Sequence, residues 1–280
     1  MVGAHERRAF FSAFAAASNT PAMLILSSPF ILSPPVKIKP ALPALHAIFL
    51  AAALLAPGFA PAADVTLHWL DGAPPAAPTG VSWGVPWPRG TVKKAQAFSL
   101  TAPDGSALPL QSWTLAYWPD GSIKWTGFAT TSTPGMIGNF KLSTSDTPAA
   151  TGQLKATDAA TYIQIDTGPL TCVIDKTGDT LVDWMAVNGV AVAQKGQLEV
   201  ILQTGADDKP EQTQPREKYL STIKKVTLEQ SGPVRAVVKI EGMHKGVTSG
   251  REWLPFTVRL YFYSGETAVR LVHTIVFYGD

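Results

Sequence analysis

From Asp64 onward, apolar and polar residues alternate or gather into short apolar runs bounded by Gly, Pro, Asn and Asp. A period of two puts successive side chains on opposite faces of a strand, whereas a helix needs repeats three and four apart. No segment carries the helical repeat, so the pattern predicts an all-β chain. The alternation at 65–70 stops at Asp71-Gly72, ahead of Pro74, Pro75 and Pro78, which cannot donate to a ladder and mark a loop or an edge. Further strands are predicted at 97–101, 108–118, 123–130 and 140–143. Between them stand Pro103-Asp104-Gly105 and Pro119-Asp120-Gly121. Proline presets the first turn dihedral and glycine accepts positive φ, so these strands form a meander.

The polar, Ala/Thr-rich stretch 144–160 reads as the boundary to a second unit. There the pattern predicts strands at 162–166, 170–175, 180–187, 190–193 and 197–203. Past a charged loop at 207–218 come longer ones at 223–230, 234–242, 256–263 and 269–277. Asn188-Gly189 between two apolar runs is a strong hairpin signal. Long antiparallel strands of this kind pack face to face as a sandwich. The last strand runs almost to Asp280, which leaves few residues to cover the sheet, so the sandwich reads as incomplete.

Charge changes the picture by exclusion. The formal net charge is +2, but the first 63 residues hold Arg7, Arg8, Lys37 and Lys39 against Glu6 alone, so the remainder is close to neutral. That balance excludes a phosphate-backbone footprint, and with it nucleic acid as a partner. The single cysteine, Cys172, lies in an apolar run and reads as a buried strand thiol. It has no partner for an intrachain disulfide.

Residues 1–63 read as an address. Lys37 and Lys39 precede the apolar stretch 47–56, which is followed by the small-residue site Ala60-Pro61-Ala62-Ala63. Positive region, short apolar region and A-x-A-like site are the layout of a secretory signal, with cleavage near Ala62 or Ala63. Upstream, Arg7-Arg8-Ala9-Phe10-Phe11 looks like a twin-arginine export motif, while a true start at Met23 or beyond is the alternative. Either route predicts an exported product, periplasmic or extracellular. The apolar segment is too short for a bilayer, so no stable span is expected after signal cleavage.

Two motifs in the first unit carry a family resemblance: Trp83-Gly84-Val85-Pro86-Trp87-Pro88-Arg89-Gly90 and Trp118-Pro119-Asp120-Gly121-Ser122-Ile123-Lys124-Trp125. Together they resemble the N-terminal barrel of the exo-rhamnogalacturonan lyase family, also called PcRGLX/YetA-like. Glu229-Gln230-Ser231-Gly232-Pro233-Val234-Arg235, Val258-Arg259-Leu260-Tyr261-Phe262-Tyr263 and Val269-Arg270-Leu271-Val272-His273-Thr274 resemble its central sandwich. The resemblance implies a small RIFT-type β-barrel at 64–150 and an incomplete antiparallel β-sandwich at 155–280. It also implies a C-terminal α/α toroid, which no segment here resembles. The implied activity is eliminative cleavage of rhamnogalacturonan-like pectin, with a polysaccharide or oligosaccharide as partner.

Such cleavage needs a cation beside the uronate carboxylate, a base and an acid. Arg89, Arg235, Arg259 and Arg270 are candidates for the first role, His244 and His273 for the second, Tyr261 and Tyr263 for the third. Arg270 and His273, three apart on a strand, face opposite sides and do not share one face. His244 lies in the loop-like run 242–250. Trp83 and Trp87, read as a Gly/Pro-rich loop beside Arg89, are candidate carbohydrate-binding platforms, because indole faces stack on sugar rings. Trp118 and Trp125 read as packing across their hairpin. No His, Cys or carboxylate cluster has metal-ligand spacing and no glycine-rich loop cradles a phosphate, so no metal or cofactor is expected. The reading is the non-catalytic N-terminal portion of an exported lyase-like enzyme, truncated before the toroid and without a full active site. Its rivals are a stand-alone carbohydrate-binding module, a glycoside hydrolase accessory region and a non-functional fragment.

Overall fold

The computed structural model describes residues 9–12, 24–26, 64–70, 72–145, 149, 151–203, 205 and 214–277. The apolar export segment and its cleavage site lie outside the described residues. Every regular element among those described is a β-strand, and none is a helix long and apolar enough to cross a membrane. Two short strands, β1 (Ala9–Ser12) and β2 (Leu24–Leu26), lie at sheet edges.

The first unit holds β3 (Asp64–Trp69), β4 (Thr79–Pro86), β5 (Ala97–Thr101), β6 (Ala107–Leu108), β7 (Gln111–Tyr117), β8 (Ile123–Ser132) and β9 (Phe140–Ser145). They form two sheets, in the orders β2-β3-β9-β5-β6 and β4-β8-β7, which enclose one core. Aromatic rings dominate that core. Trp83 stacks on Phe128 at 5.6 Å, Trp87 stacks on Phe98 at 5.6 Å, and Phe98 meets Phe128 edge-on at 5.0 Å.

The two Pro-Asp-Gly turns are copies of one device. Asp104 and Asp120 each accept from the backbone N–H and the hydroxyl of the serine two residues on, at 2.9 and 2.6 Å in the first turn and 3.0 and 2.6 Å in the second. Gly105 and Gly121 take positive φ of 86° and 83°. Between the turns the predicted strand 108–118 is cut at Pro109, where the chain leaves the sheet of β5 and enters that of β8. The Thr130 hydroxyl donates to the Pro109 carbonyl at 2.6 Å and holds that corner.

The expected loop around Trp83 is instead strand β4. Val81, Trp83 and Val85 are buried and alternate with Gly80, Ser82, Gly84 and Pro86. The period of two was present, and the prolines and glycines masked it. Pro86 ends the strand, where its missing N–H costs no ladder bond within it.

The second unit opens with β10 (Lys155–Asp158), β11 (Tyr162–Asp166), β12 (Leu170–Asp175), β13 (Val182–Val187) and β14 (Val190–Gly196), a sheet in chain order. Residues read as boundary thus include a strand and Leu154, a member of the core. Asn188 and Gly189 make the β13–β14 turn with φ of 50° and 78°, the positive pair that suits the twist of a two-residue hairpin. The facing sheet comprises β15 (Glu199–Gln203), β16 (Arg216–Gln230), β17 (Arg235–Gly246), β18 (Glu252–Tyr263) and β19 (Arg270–Ile275), with β1 beside β15. Ile163, Ile165, Leu170, Cys172 and Ile174 from one sheet meet Val238, Ile240, Phe256, Val258 and Leu260 from the other. Burial pushes the Cys172 thiol up to about 12, so it stays protonated and inert.

Candidate functional site

The outer face of the β4-β8-β7 sheet follows from strand parity. Directly opposed residues share a face, so Trp83 and Phe128 point inward, while the row Gly84, Gly127, Trp113 and the row Pro86, Trp125, Ala116 point outward. The pyrrole side of the Trp125 indole lies over Gly84, and the Trp113 indole lies over Gly127, at approaches that leave no room for a Cβ. Glycine at these two positions lets bulky rings lie down on the sheet. Trp125 remains 40% exposed.

The next rows of the same face are covered by the second unit. Gln111 accepts from the backbone N–H groups of Val234 and Arg235 at 3.1 and 2.7 Å. Tyr263 lies over Gly80, and Ala129, Val234 and Tyr263 form a small buried cluster against Trp113 and Tyr261. The link is tied as well: Leu154 N–H donates to the Pro233 carbonyl at 3.0 Å and Gln153 N–H to the Ser264 hydroxyl at 2.8 Å. The two units are therefore joined by a packed, hydrogen-bonded junction.

At the border between covered and open face sits a ladder of rings and guanidinium groups. The Arg235 Cζ is 4.4 Å from the Trp113 ring centroid and 5.5 Å from that of Tyr261. Arg270, opposite Tyr261 on the neighbouring strand, places its Cζ 5.5 Å from the same ring. The Arg235 Nε donates to Gln230 Oε1 at 2.8 Å. Trp125, Trp113, Arg235, Tyr261 and Arg270 thus line a strip that crosses from one unit to the other. The strip offers flat apolar faces and positive charge, and the cations gain from the ring quadrupoles.

The structure sorts the residues singled out in the sequence. Trp83 and Trp87 are corrected: they are 7% and 3% exposed, and Phe128 and Phe98 occupy their faces, so they build the core rather than a sugar platform. Trp87 also donates its Nε1–H to the Thr126 hydroxyl at 2.9 Å. Arg89 is exposed and paired with Asp120 at 2.9 Å. Arg259 is held by both oxygens of Glu229, at 2.7 and 3.0 Å. Trp118 lies under Lys124 and donates to the Trp87 carbonyl at 3.0 Å.

His244 is corrected too. It lies in β17, not in a loop, and is fully buried. Gly242 reads as a breaker, yet it makes room for the Phe256 ring, and the ladder continues across a bulge between Gly242 and His244. His244 Nδ1 lies 2.7 Å from the Leu254 carbonyl, which can only accept, so the proton sits on Nδ1 and Nε2 is left bare and buried. Burial lowers its pKa below the usual imidazole value, with the Leu254 carbonyl opposing. His273 faces the same interior from β19, its ring 6.4 Å from that of His244, and its pKa is lowered by burial and then by His244. Its register partner is Val258 in the core, whereas Arg270 pairs with Tyr261 on the outer face. The two histidines therefore face the interior, on the opposite side of the sheet from the arginine ladder.

Sequence reasoning passed over Trp113 and Glu266. Trp113 carried a signal, since the β7–β8 pairing places it opposite Gly127. Glu266 follows a Ser-Gly turn and is 8% exposed; burial raises its carboxyl above the usual range. Among the described residues, no group of three or more His, Cys, Asp or Glu is placed to hold a metal ion.

Comparison with known proteins follows the same division of the chain. Residues 63–145 match the model of the PcRGLX-like N-terminal RIFT barrel domain, and residues 154–280 that of the PcRGLX-like protein central beta sandwich domain. The uncharacterized protein YetA of Bacillus subtilis (strain 168) is 39% identical over 208 residues, which span 74% of this chain and 24% of that protein. The chain thus covers about a quarter of the length of this relative. It belongs to the PcRGLX-like family, and carries that family's N-terminal RIFT barrel and its central β-sandwich.

Proposed function

We propose that this chain is the non-catalytic N-terminal portion of an exported, polysaccharide lyase-like enzyme of pectin breakdown, and that it binds and positions a sugar chain. The family supports the polysaccharide, and the signal-like layout of residues 37–63 supports export. The observation that carries the binding role is Trp125, a tryptophan left 40% exposed on a packed sheet and seated over Gly84. An aromatic face already held in place stacks on a sugar ring without paying further side-chain entropy.

Calorimetric titration of the chain with rhamnogalacturonan oligosaccharides tests this reading. Saturable binding is expected, with no rise in the ultraviolet absorbance of unsaturated products. Trp125→Ala weakens binding about tenfold or more, the loss of one stacked ring at roughly 1.5 kcal/mol. Absence of binding by the folded wild-type chain would overturn the reading.

A further inference from the structure

We propose that the outer face of the five-stranded sheet, centred on Trp184, is a second binding face, and that its ligand is an uncharged sugar chain. This face is independent of the strip at Trp125, since it lies on the other unit and takes a different class of chain.

Six of the eight tryptophans have a ring, a cation or a hydrogen-bond acceptor against them: Trp69, Trp83, Trp87, Trp113, Trp118 and Trp253. Trp125 has Gly84 beneath it. Trp184, partly exposed on β13, meets no ring or cation among the described residues, and its Nε1–H finds no acceptor there. Strand parity turns it outward. Ile163, Ile165, Cys172 and Ile174 fill the sandwich core, so the residues that alternate with them face away, and Trp184 is registered opposite one of these, Val173. The same row runs straight across all five strands, as Thr157, Gln164, Val173, Trp184 and Gln194. With strands about 4.8 Å apart it spans roughly 19 Å, the reach of an oligosaccharide.

The row has what a hydroxylated ring needs. An indole stacks on the C–H face of a sugar. Gln194 stands on the next strand to one side and Gln164 two strands away on the other, and neither amide is bonded to the protein among the described residues. A carboxamide donates and accepts at once, as does each hydroxyl of a sugar. Charge then sets the class. All five side chains of the row are uncharged, and near its β14 end Lys195 stands among Asp183, Asp175 and Asp179, so carboxylates outnumber the ammonium. A polyanion is repelled there. Within the row only Val173 and Trp184 are apolar, which lacks the apolar centre of a stable protein interface. The occupant is therefore a neutral glycan.

The test titrates cellotetraose, mannotetraose and tetragalacturonate into the full chain carrying Trp125→Ala, which silences the barrel face, with calorimetry and tryptophan fluorescence as readouts. Saturable binding of a neutral tetramer is expected, at least about tenfold tighter than that of the acid. Trp184→Ala in the same background weakens it about tenfold or more through loss of the stacked ring, and Gln194→Ala on the exposed edge weakens it roughly threefold. Both keep the melting midpoint of the parent, since neither side chain enters the core. Should Trp184→Ala fail to fold, Gln194→Ala alone decides. The face is overturned if neither neutral tetramer binds, if neutral binding survives both substitutions, or if the acid binds as tightly as the neutral chains. A dimer in sedimentation that Trp184→Ala dissolves also overturns it, in favour of a contact between copies. The Trp125 reading is tested with the wild type and rhamnogalacturonan oligosaccharides, so either face can fail alone.

Discussion

The interior of the barrel is filled by Trp69, Trp83, Trp87, Phe98, Phe128 and Phe140 among its aliphatic residues, whereas the sandwich encloses mainly Ile, Val and Leu. The longest strands lie in one sheet of the sandwich, whereas those of the barrel reach 10 residues at β8. In the sandwich β16, β17 and β18 run for 15, 12 and 12 residues, and many modest side chains interdigitate between two sheets. A tryptophan in the barrel is thus a packing residue by default. What marks Trp113 and Trp125 as different is the face of the sheet they occupy, together with the glycines beneath them.

The contrast breaks most sharply under truncation. Trp83→Ala is expected to cost about 3–5 kcal/mol, because neighbours on curved strands cannot collapse into the void. Ile165→Val, fully buried in the sandwich, is expected to cost about 0.5–1.5 kcal/mol. Denaturant unfolding followed by near-ultraviolet circular dichroism compares them. If Trp83→Ala costs no more than Ile165→Val, the aromatic core of the barrel is not what holds that unit together.

Much of this architecture was legible in the alternation. The strands at 97–101, 162–166 and 170–175 fall where the pattern puts them, and the Asn-Gly and Pro-Asp-Gly turns have the backbone their residues demand. Two of the failures share one cause: glycine reads as a breaker where it serves close approach. Gly80 and Gly84 hid β4, and Gly242 hid the continuation of β17 through His244. The arginine ladder was half legible. Arg235, Arg270 and Tyr261 stood out by chemistry, but a long-range register and a contact between two units decide which arginines already have carboxylates. Neither is written in local pattern.

A second difference between the units is where their buried titratable groups lie. Among the described residues of the barrel, the shifted groups are surface aspartates, whereas the sandwich buries His244 and Glu266 and half-buries His273. Both imidazoles have folded-state pKa values below the ordinary 6.5. Below pH 6.5 the unfolded chain therefore takes up protons that the native one refuses, and stability falls as pH falls. The slope is at most about 1.4 kcal/mol per pH unit for each histidine. Glu266 acts in the opposite sense: its folded pKa lies above 4.5, so stability is lost as pH rises from 4.5 through the raised value. His244→Phe should flatten unfolding curves measured between pH 5 and 7, and Glu266→Gln should raise the midpoint at pH 7. A pH profile unchanged by His244→Phe and by His273→Phe would place the acid sensitivity outside the sandwich interior.

The smallest effect is expected at the most conspicuous ion pair of the barrel, Arg89 with Asp120. The Asp120 carboxyl is held down to about 2, but the hydroxyl and backbone N–H of Ser122 do most of this and Arg89 comes after them. The pair is exposed, and exposed ion pairs contribute little because water and salt screen them. What matters at Asp120 is an acceptor oxygen for the turn, which an amide supplies as well as a carboxylate. Arg89→Ala and Asp120→Asn should therefore leave the thermal midpoint at neutral pH unchanged within error. Asp120→Ala, which removes the acceptor, should lower it measurably, and Asp104→Ala in the twin turn should do the same. If Arg89→Ala proved as damaging as Asp120→Ala, the charge and not the turn would be holding β7 to β8, and the likeness of the two Pro-Asp-Gly-Ser turns would be superficial.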